Sequence, residues 1–160
     1  MAKSDHVPPP EVASYLAEIV TRLKDCLQDE LVGVYLFGSA SHGAYEPGLS
    51  DLDVQAVTRN PLTASHTQMI VSRLTHTTMP CPATKLEFVV HAQEATCPAS
   101  RHPRFELNFK SGPHRADHVG LDPTTEASHW VLLDIAIGRE HGRCLYGLAI
   151  GEAFGPMPRR

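Results

Sequence analysis

Two aspartates, Asp51 and Asp53, open the short run Asp51-Leu-Asp-Val-Gln-Ala-Val57. In an extended chain residues two apart share a face, so both carboxylates project side by side while Leu52 turns toward a core. Like charges held that close repel, and a divalent cation is the usual remedy. Magnesium suits them, because it takes carboxylate oxygen, keeps some of its waters and bridges to phosphates. Upstream, Gly38-Ser39 follows directly on the apolar run Leu31-Val-Gly-Val-Tyr-Leu-Phe37. A glycine lets a phosphate approach the backbone, and the Ser39 hydroxyl and amide, with the amides of Ala40-Ser41, offer it hydrogen bonds. Ser50 stands immediately before the aspartates. A third carboxylate, Glu87, lies in Lys85-Leu-Glu-Phe-Val-Val-His91, with Leu86 and Phe88 on the other face. If that strand lies beside the Asp51 strand, Glu87 reaches the same metal or serves as general base toward an attacking hydroxyl. A Gly-Ser pair or an Asp-x-Asp alone is commonplace in surface turns. The order strand, Gly-Ser, loop, Asp-x-Asp on a second strand and an acid on a third is far more specific. It suits nucleotidyl transfer by positioning and charge neutralisation.

The elements that must hold these groups are readable from hydrophobic period. After His6-Val-Pro-Pro-Pro10, apolar residues at Val12, Tyr15, Leu16, Ile19, Val20, Leu23, Cys26 and Leu27 repeat every three or four, which predicts an amphipathic helix. Leu31 to Phe37, Asp51 to Val57 and Lys85 to His91 predict strands, and Ala40 to Ser50 holds at most one helical turn before a loop. Pro61 to Met79 predicts a helix. Phe105, Leu107 and Phe109 alternate with polar neighbours, a half-buried strand over Arg104 to Lys110. Ser111 to Thr125 reads as a loop. Glu126 to Gly142 predicts a helix whose middle, Trp130 to Ile137, is apolar almost all round and so buried on more than one side. A short strand at Cys144 to Gly147 follows. The sum is a mixed α/β, or α+β, domain around one small mixed sheet flanked by helices.

Composition narrows the function classes. The chain has 160 residues, 42% apolar, and 14 Lys+Arg against 18 Asp+Glu give a formal charge of −4. That describes one domain with a single core, without the basic excess that long nucleic acids require. No apolar stretch is long enough to cross a membrane and the first residues lack a signal-peptide core, so the cytoplasm is the default expectation. Cys26, Cys81, Cys97 and Cys144 form no C-x-x-C pair and read as reduced thiols. His114 and His118 have helical metal-ligand spacing, but no Cys or Glu completes a set, and they read as loop residues.

Gly38-Ser39 followed by Ser50-Asp51-Leu52-Asp53 resembles the signature of the polymerase-beta-like nucleotidyltransferase superfamily. Leu86-Glu87-Phe-Val-Val-His91, Arg104-Phe-Glu-Leu-Asn-Phe109 and Ile135-Ala-Ile-Gly-Arg-Glu-His-Gly142 with Leu145-Tyr-Gly147 are similar to the streptomycin/spectinomycin-type aminoglycoside adenylyltransferases. The resemblance runs from about the first helix to Pro158. It implies that Asp51 and Asp53 ligate Mg2+, with Glu87 as catalytic base and a further carboxylate for the metal. It implies that Gly38, Ser39 and Ser50 bind the triphosphate of ATP, and that the product is an O-adenylylated aminoglycoside, which confers antibiotic resistance. On charge grounds Arg101, Arg104 and Lys110 are further candidates for phosphate, with solvated surface the better-supported reading; His91 reads as a strand-end hydrogen bonder.

Members of that family carry a second, helical domain that closes over the cleft, and the sequence stops at Arg160, where that domain would begin. Residues 1–160 are therefore expected to be a single nucleotidyltransferase domain, either cut from a longer protein or completed by a partner. The apolar helix Trp130 to Ile137 is either an association surface, for a second copy or another protein, or central to the domain's own core. Two alternatives stay open: a non-catalytic, antitoxin-like interaction module, and an adenylyltransferase with another small-molecule or protein acceptor.

Overall fold

The computed structural model describes residues 7–125 and 130–156. In chain order these form α1 (Pro10–Leu27), β1 (Leu31–Phe37), β2 (Leu52–Thr58), α2 (Ala64–Leu74), β3 (Leu86–Ala92), α3 (Gln93–Thr96), β4 (Leu107–Gly112), β5 (Arg115–Gly120), α4 (Trp130–His141), β6 (Arg143–Gly147) and α5 (Ile150–Ala153). Single 3-10 turns occupy Gln28–Glu30 and Ser39–Ser41. Pro10 sits in the first turn of α1, where a missing N–H does no harm. The stripe from Val12 to Leu27 is buried on one side of that helix, each fully buried Leu or Ile contributing about 1.5–3 kcal/mol. Thr63 caps α2 by accepting a hydrogen bond from the His66 amide at 3.1 Å.

The strands make one six-stranded mixed sheet in the order β5-β4-β3-β2-β1-β6, antiparallel except where β2 and β3 run parallel. A parallel pair needs a crossover, and α2 supplies it. Strand alternation then sorts the residues onto two faces. Val34, Leu36, Leu52, Val54, Ala56, Leu86, Phe88, Val90, Leu107 and Phe109 pack with α1 and α2. Tyr35, Phe37, Val57 and Val89 pack with Val131 and Ile135 of α4 and with Ala153 and Phe154. Register places Phe37 opposite Asp53, Asp53 opposite Glu87 and Glu87 opposite Lys110, so charged residues of three neighbouring strands form one lateral row on the α4 face.

Several boundaries differ from the sequence expectations. Asp51 lies just outside β2, α2 is shorter than Pro61 to Met79, and β4 starts at Leu107 rather than Arg104. The expected loop from Ser111 to Thr125 instead holds the end of β4, a two-residue turn at Pro113-His114 and the edge strand β5. β5 is almost wholly exposed, so it carries no alternation to read, and His114 and His118 stand on a hairpin rather than a helix. The expectation that the helix from Trp130 is buried on more than one side is also wrong. Val131, Ile135 and Gly138 face the sheet, while Leu133 and Ile137 are 60% and 49% exposed. Residues 126–129, the expected first turn of that helix, lie outside the described residues. All four cysteines are free.

Helix α4 lies close to β1 because Gly138 has no side chain: a Cβ there would come within 2.5 Å of the buried Phe37 ring. Gly138→Val is therefore expected to lower the unfolding free energy by about 1–3 kcal/mol, whereas Leu133→Ala on the exposed face changes it by less than about 0.5 kcal/mol. Urea denaturation checks both, and an unchanged midpoint for Gly138→Val contradicts this docking of α4.

Candidate active site

β1 ends at Phe37, and the chain turns at Gly38 with φ 72°, a left-handed conformation that favours glycine. A Cβ at Gly38 would fall 2.1 Å from Asp53 Oδ2, so space as well as backbone requires the bare residue. The following turn is closed by the Ser41 amide and hydroxyl, which donate to the Gly38 carbonyl at 3.1 and 2.6 Å. Ser39 begins that turn. Ser50 accepts a hydrogen bond from the Glu46 amide at its hydroxyl, 2.9 Å, and its carbonyl accepts from the Thr84 amide and hydroxyl at 3.2 and 3.1 Å. The loop before the aspartates is thus tied to the loop before β3, while the Ser50 hydroxyl keeps its proton available for donation.

Asp51, Asp53 and Glu87 each offer one carboxylate oxygen to a cluster in which these atoms lie within 4.8 Å of one another. Three hard oxygen donors in that space fit a divalent cation such as magnesium. Two ammonium groups also serve the cluster: Lys85 Nζ lies 2.9 Å from Glu87 and 3.8 Å from Asp51, and Lys110 Nζ lies 3.7 Å from Glu87. Burial, followed by the hydrogen bond to Glu87 and the charges of Glu87, Asp51 and Asp134, pushes Asp53 up to about 9. Burial also acts to raise Glu87, but the hydrogen bond from Asp53 and the two lysines outweigh it and hold Glu87 near 2. The pair therefore shares one proton, carried by Asp53, because two adjacent buried carboxylates cannot both ionise without a cation.

Beyond the cluster a cavity of about 210 Å3 runs over the sheet under α4. Gln55, Val89 and Asn108 form its floor beside the row of Asp53, Glu87 and Lys110, and Trp130 and Asp134 of α4 close it from above. Burial, then the charges of Glu87 and Asp51, raise Asp134 to about 6. Of the basic candidates only Lys110 joins the cavity; exposed Arg104 pairs with Glu94 at 3.5 Å, and Arg101 is exposed and not among the lining residues. Sequence reading did not single out Gln55 or Asp134, and named Trp130 only as the start of the apolar helix. Signals were present: Asp134 is the one charge within the apolar stretch from Trp130 to Ile137, and Gln55 is a polar residue inside an apolar strand.

Residues 16–95, half of the chain, match the family model of the nucleotidyltransferase domain. Aminoglycoside (3'') (9) adenylyltransferases of Shigella flexneri and Escherichia coli are each 27% identical over 161 residues, covering 94% of this chain and 58% of theirs. A crystal structure of the spectinomycin adenyltransferase of Enterococcus faecialis with ATP and spectinomycin matches with a TM-score of 0.68 at 18% identity, over 92% of this chain and 61% of that one. The chain thus spans less than two thirds of the length of these proteins, and the structural likeness speaks to the fold. The family match takes in β1, the Gly38 turn, both aspartates and Glu87, and the chain belongs to the nucleotidyltransferase domain family.

Proposed function

We propose that this domain transfers AMP from ATP, with magnesium, to a hydroxyl of an aminoglycoside antibiotic. The observation that carries this reading is the convergence of Asp51, Asp53 and Glu87 on one point beside the glycine turn at Gly38. The relatives named adenylyltransferases support the nucleotide and the acceptor class. Asp51, Asp53 and Glu87 hold the cation, while Ser39, Ser50 and the backbone at Gly38 hold the triphosphate. Magnesium, when bound, supplies neutralisation of the triphosphate and of the charge that grows on departing pyrophosphate. The acceptor oxygen attacks the α-phosphorus, the bond to pyrophosphate breaks, and Glu87 takes the hydroxyl proton. A carboxylate held near 2 by the hydrogen bond from Asp53 and by two ammonium groups is a weak base. The reading therefore requires Lys85 and Lys110 to exchange Glu87 for triphosphate oxygens, which raises the basicity of Glu87 as substrate arrives.

A second reading has one supporting observation, the exposed Leu133 and Ile137 on α4. In it the domain works only with a partner that covers α4, whether a further helical domain, a second copy or another protein, and in the antitoxin-like form transfers nothing. An acceptor other than an aminoglycoside keeps the same catalytic groups. Among the described residues no helix is long and apolar enough to cross a membrane, and a cytoplasmic setting is part of the proposal.

Asp53→Asn is expected to leave the fold intact, since Asp53 already holds a proton and the amide is its near-isostere, and to cut transfer by about 100-fold or more; mass spectrometry of adenylylated spectinomycin reads this, and a folded variant with retained turnover contradicts the role. Glu87→Gln is expected to leave ATP affinity nearly unchanged in calorimetry while transfer stops; a large loss of ATP affinity instead makes Glu87 chiefly a ligand. The pH dependence has a definite sign. Between the ordinary 3.8 of Asp53 and about 9, the fold binds more protons than the unfolded chain, so metal-free stability falls as pH rises through that window. The opposite contribution of Glu87 acts only below its ordinary 4.5. Magnesium must displace the Asp53 proton, so its affinity rises with pH toward about 9. Thermal unfolding with and without magnesium checks both slopes, and magnesium stabilisation independent of pH contradicts the shared proton.

A further inference from the structure

The cavity under α4 contains a buried hydrogen-bond donor that the carboxylate cluster does not use. Register stacks two lateral rows on the α4 face of the sheet: Asp53, Glu87 and Lys110, and one pleat further along the strands Gln55, Val89 and Asn108. The rows stand about 6.5–7 Å apart, the length of two extended residues, so an acceptor whose reacting hydroxyl meets Glu87 carries its neighbouring ring substituents over the second row. Gln55 is 4% exposed and lines the cavity. Its Oε1 lies 2.6 Å from Nε2 of His91. Burial holds the His91 ring neutral, at about 4, so the ring has one N–H to give. Its other contact, Nδ1 to the Arg104 carbonyl oxygen, is longer at 3.3 Å. The Nε2–H therefore donates to Gln55 Oε1, and the Gln55 NH2 is turned toward the cavity. Among the described residues that NH2 has no hydrogen-bond partner.

We propose that the Gln55 NH2 is a specificity-determining donor that binds an uncharged oxygen of the acceptor molecule, a hydroxyl or ring ether distinct from the hydroxyl that reacts. A buried N–H without a partner favours a ligand atom that accepts and disfavours one that only donates, so an ammonium or guanidinium is turned away at this point. An anion is disfavoured as well, because Glu87 and Asp134 border the same cavity and the Lys110 ammonium lies 3.7 Å from Glu87. Neutral oxygen remains, and Val89 and the Trp130 ring beside it suit the C–H faces of the ring that carries it. The inference rests on the nucleotidyl-transfer reading for the fate of the reacting hydroxyl, but the hydrogen bond it predicts needs no turnover.

The test uses the full chain, labelled with nitrogen-15, with magnesium and a non-hydrolysable ATP analogue, and spectinomycin as the probe. The side-chain NH2 signals of Gln55, assigned through its backbone, are expected to move downfield and gain protection from solvent exchange when spectinomycin is added. Long-range proton–nitrogen NMR should show His91 protonated at Nε2 and bare at Nδ1. In calorimetry Gln55→Met is expected to weaken spectinomycin binding by about tenfold or more, while it binds the nucleotide analogue as the wild type does. Gln55 NH2 signals that spectinomycin leaves in place, a His91 proton on Nδ1, undiminished spectinomycin binding by the variant, equal losses for drug and nucleotide, or nucleotide binding without spectinomycin binding overturns the site. The wild-type spectra decide the matter even where the variant does not fold. Failure of the wild type to bind the nucleotide analogue overturns the nucleotidyl-transfer reading instead.

Discussion

Everything at the site depends on three carboxylates being held where they repel one another. The sheet does the holding. The parallel register of β2 and β3 puts Asp53 level with Glu87, and the loop before β2 adds Asp51. Backbone pairing along a seven-residue strand on each side is far stiffer than any side chain, so the repulsion cannot be relieved by drifting apart. It is relieved by chemistry: a proton on Asp53 and the ammonium groups of Lys85 and Lys110 on Glu87. Those are the replaceable parts of the site. Under the proposed function a divalent cation would answer the same repulsion with more charge, and a triphosphate would answer the two lysines.

The same logic explains why the apolar faces are divided as they are. One face of the sheet is sealed by α1 and α2 and holds the larger core. The other is only partly covered, because α4 meets the sheet through Val131, Ile135 and the glycine-permitted contact with Phe37, and leaves room beside β3 and β4. The cavity is the consequence of that incomplete cover. Its polar floor, Gln55 and Asn108, lies in strands whose other face buries Leu52, Val54, Ala56, Leu107 and Phe109 in the main core.

Much of this was legible in the sequence, for physical reasons that vary by element. The stripe of α1, the dense apolar runs of β1, β2 and β3, and the Gly38 turn carry strong local signals, and the trio Asp51, Asp53 and Glu87 follows once β2 and β3 are taken as neighbours. β5 was missed because an exposed edge strand has no buried face to imprint a period. α4 was misjudged because its composition is apolar all round although only one side packs, and no local rule reveals which apolar residues remain uncovered. Gln55, Lys110 and Asp134 come from three different elements, and their meeting is set by register and helix docking, which single-sequence patterns do not encode.

The central claim is that Asp51, Asp53 and Glu87 hold one divalent cation at the end of β2. Anomalous diffraction from crystals grown with manganese and a non-hydrolysable ATP analogue tests it most directly. The account predicts a metal peak with carboxylate oxygens of Asp51 and Asp53 at about 2.1–2.3 Å and Glu87 reaching the same ion or its waters. A bound nucleotide with no metal between these carboxylates, or a metal held by other residues, would contradict it.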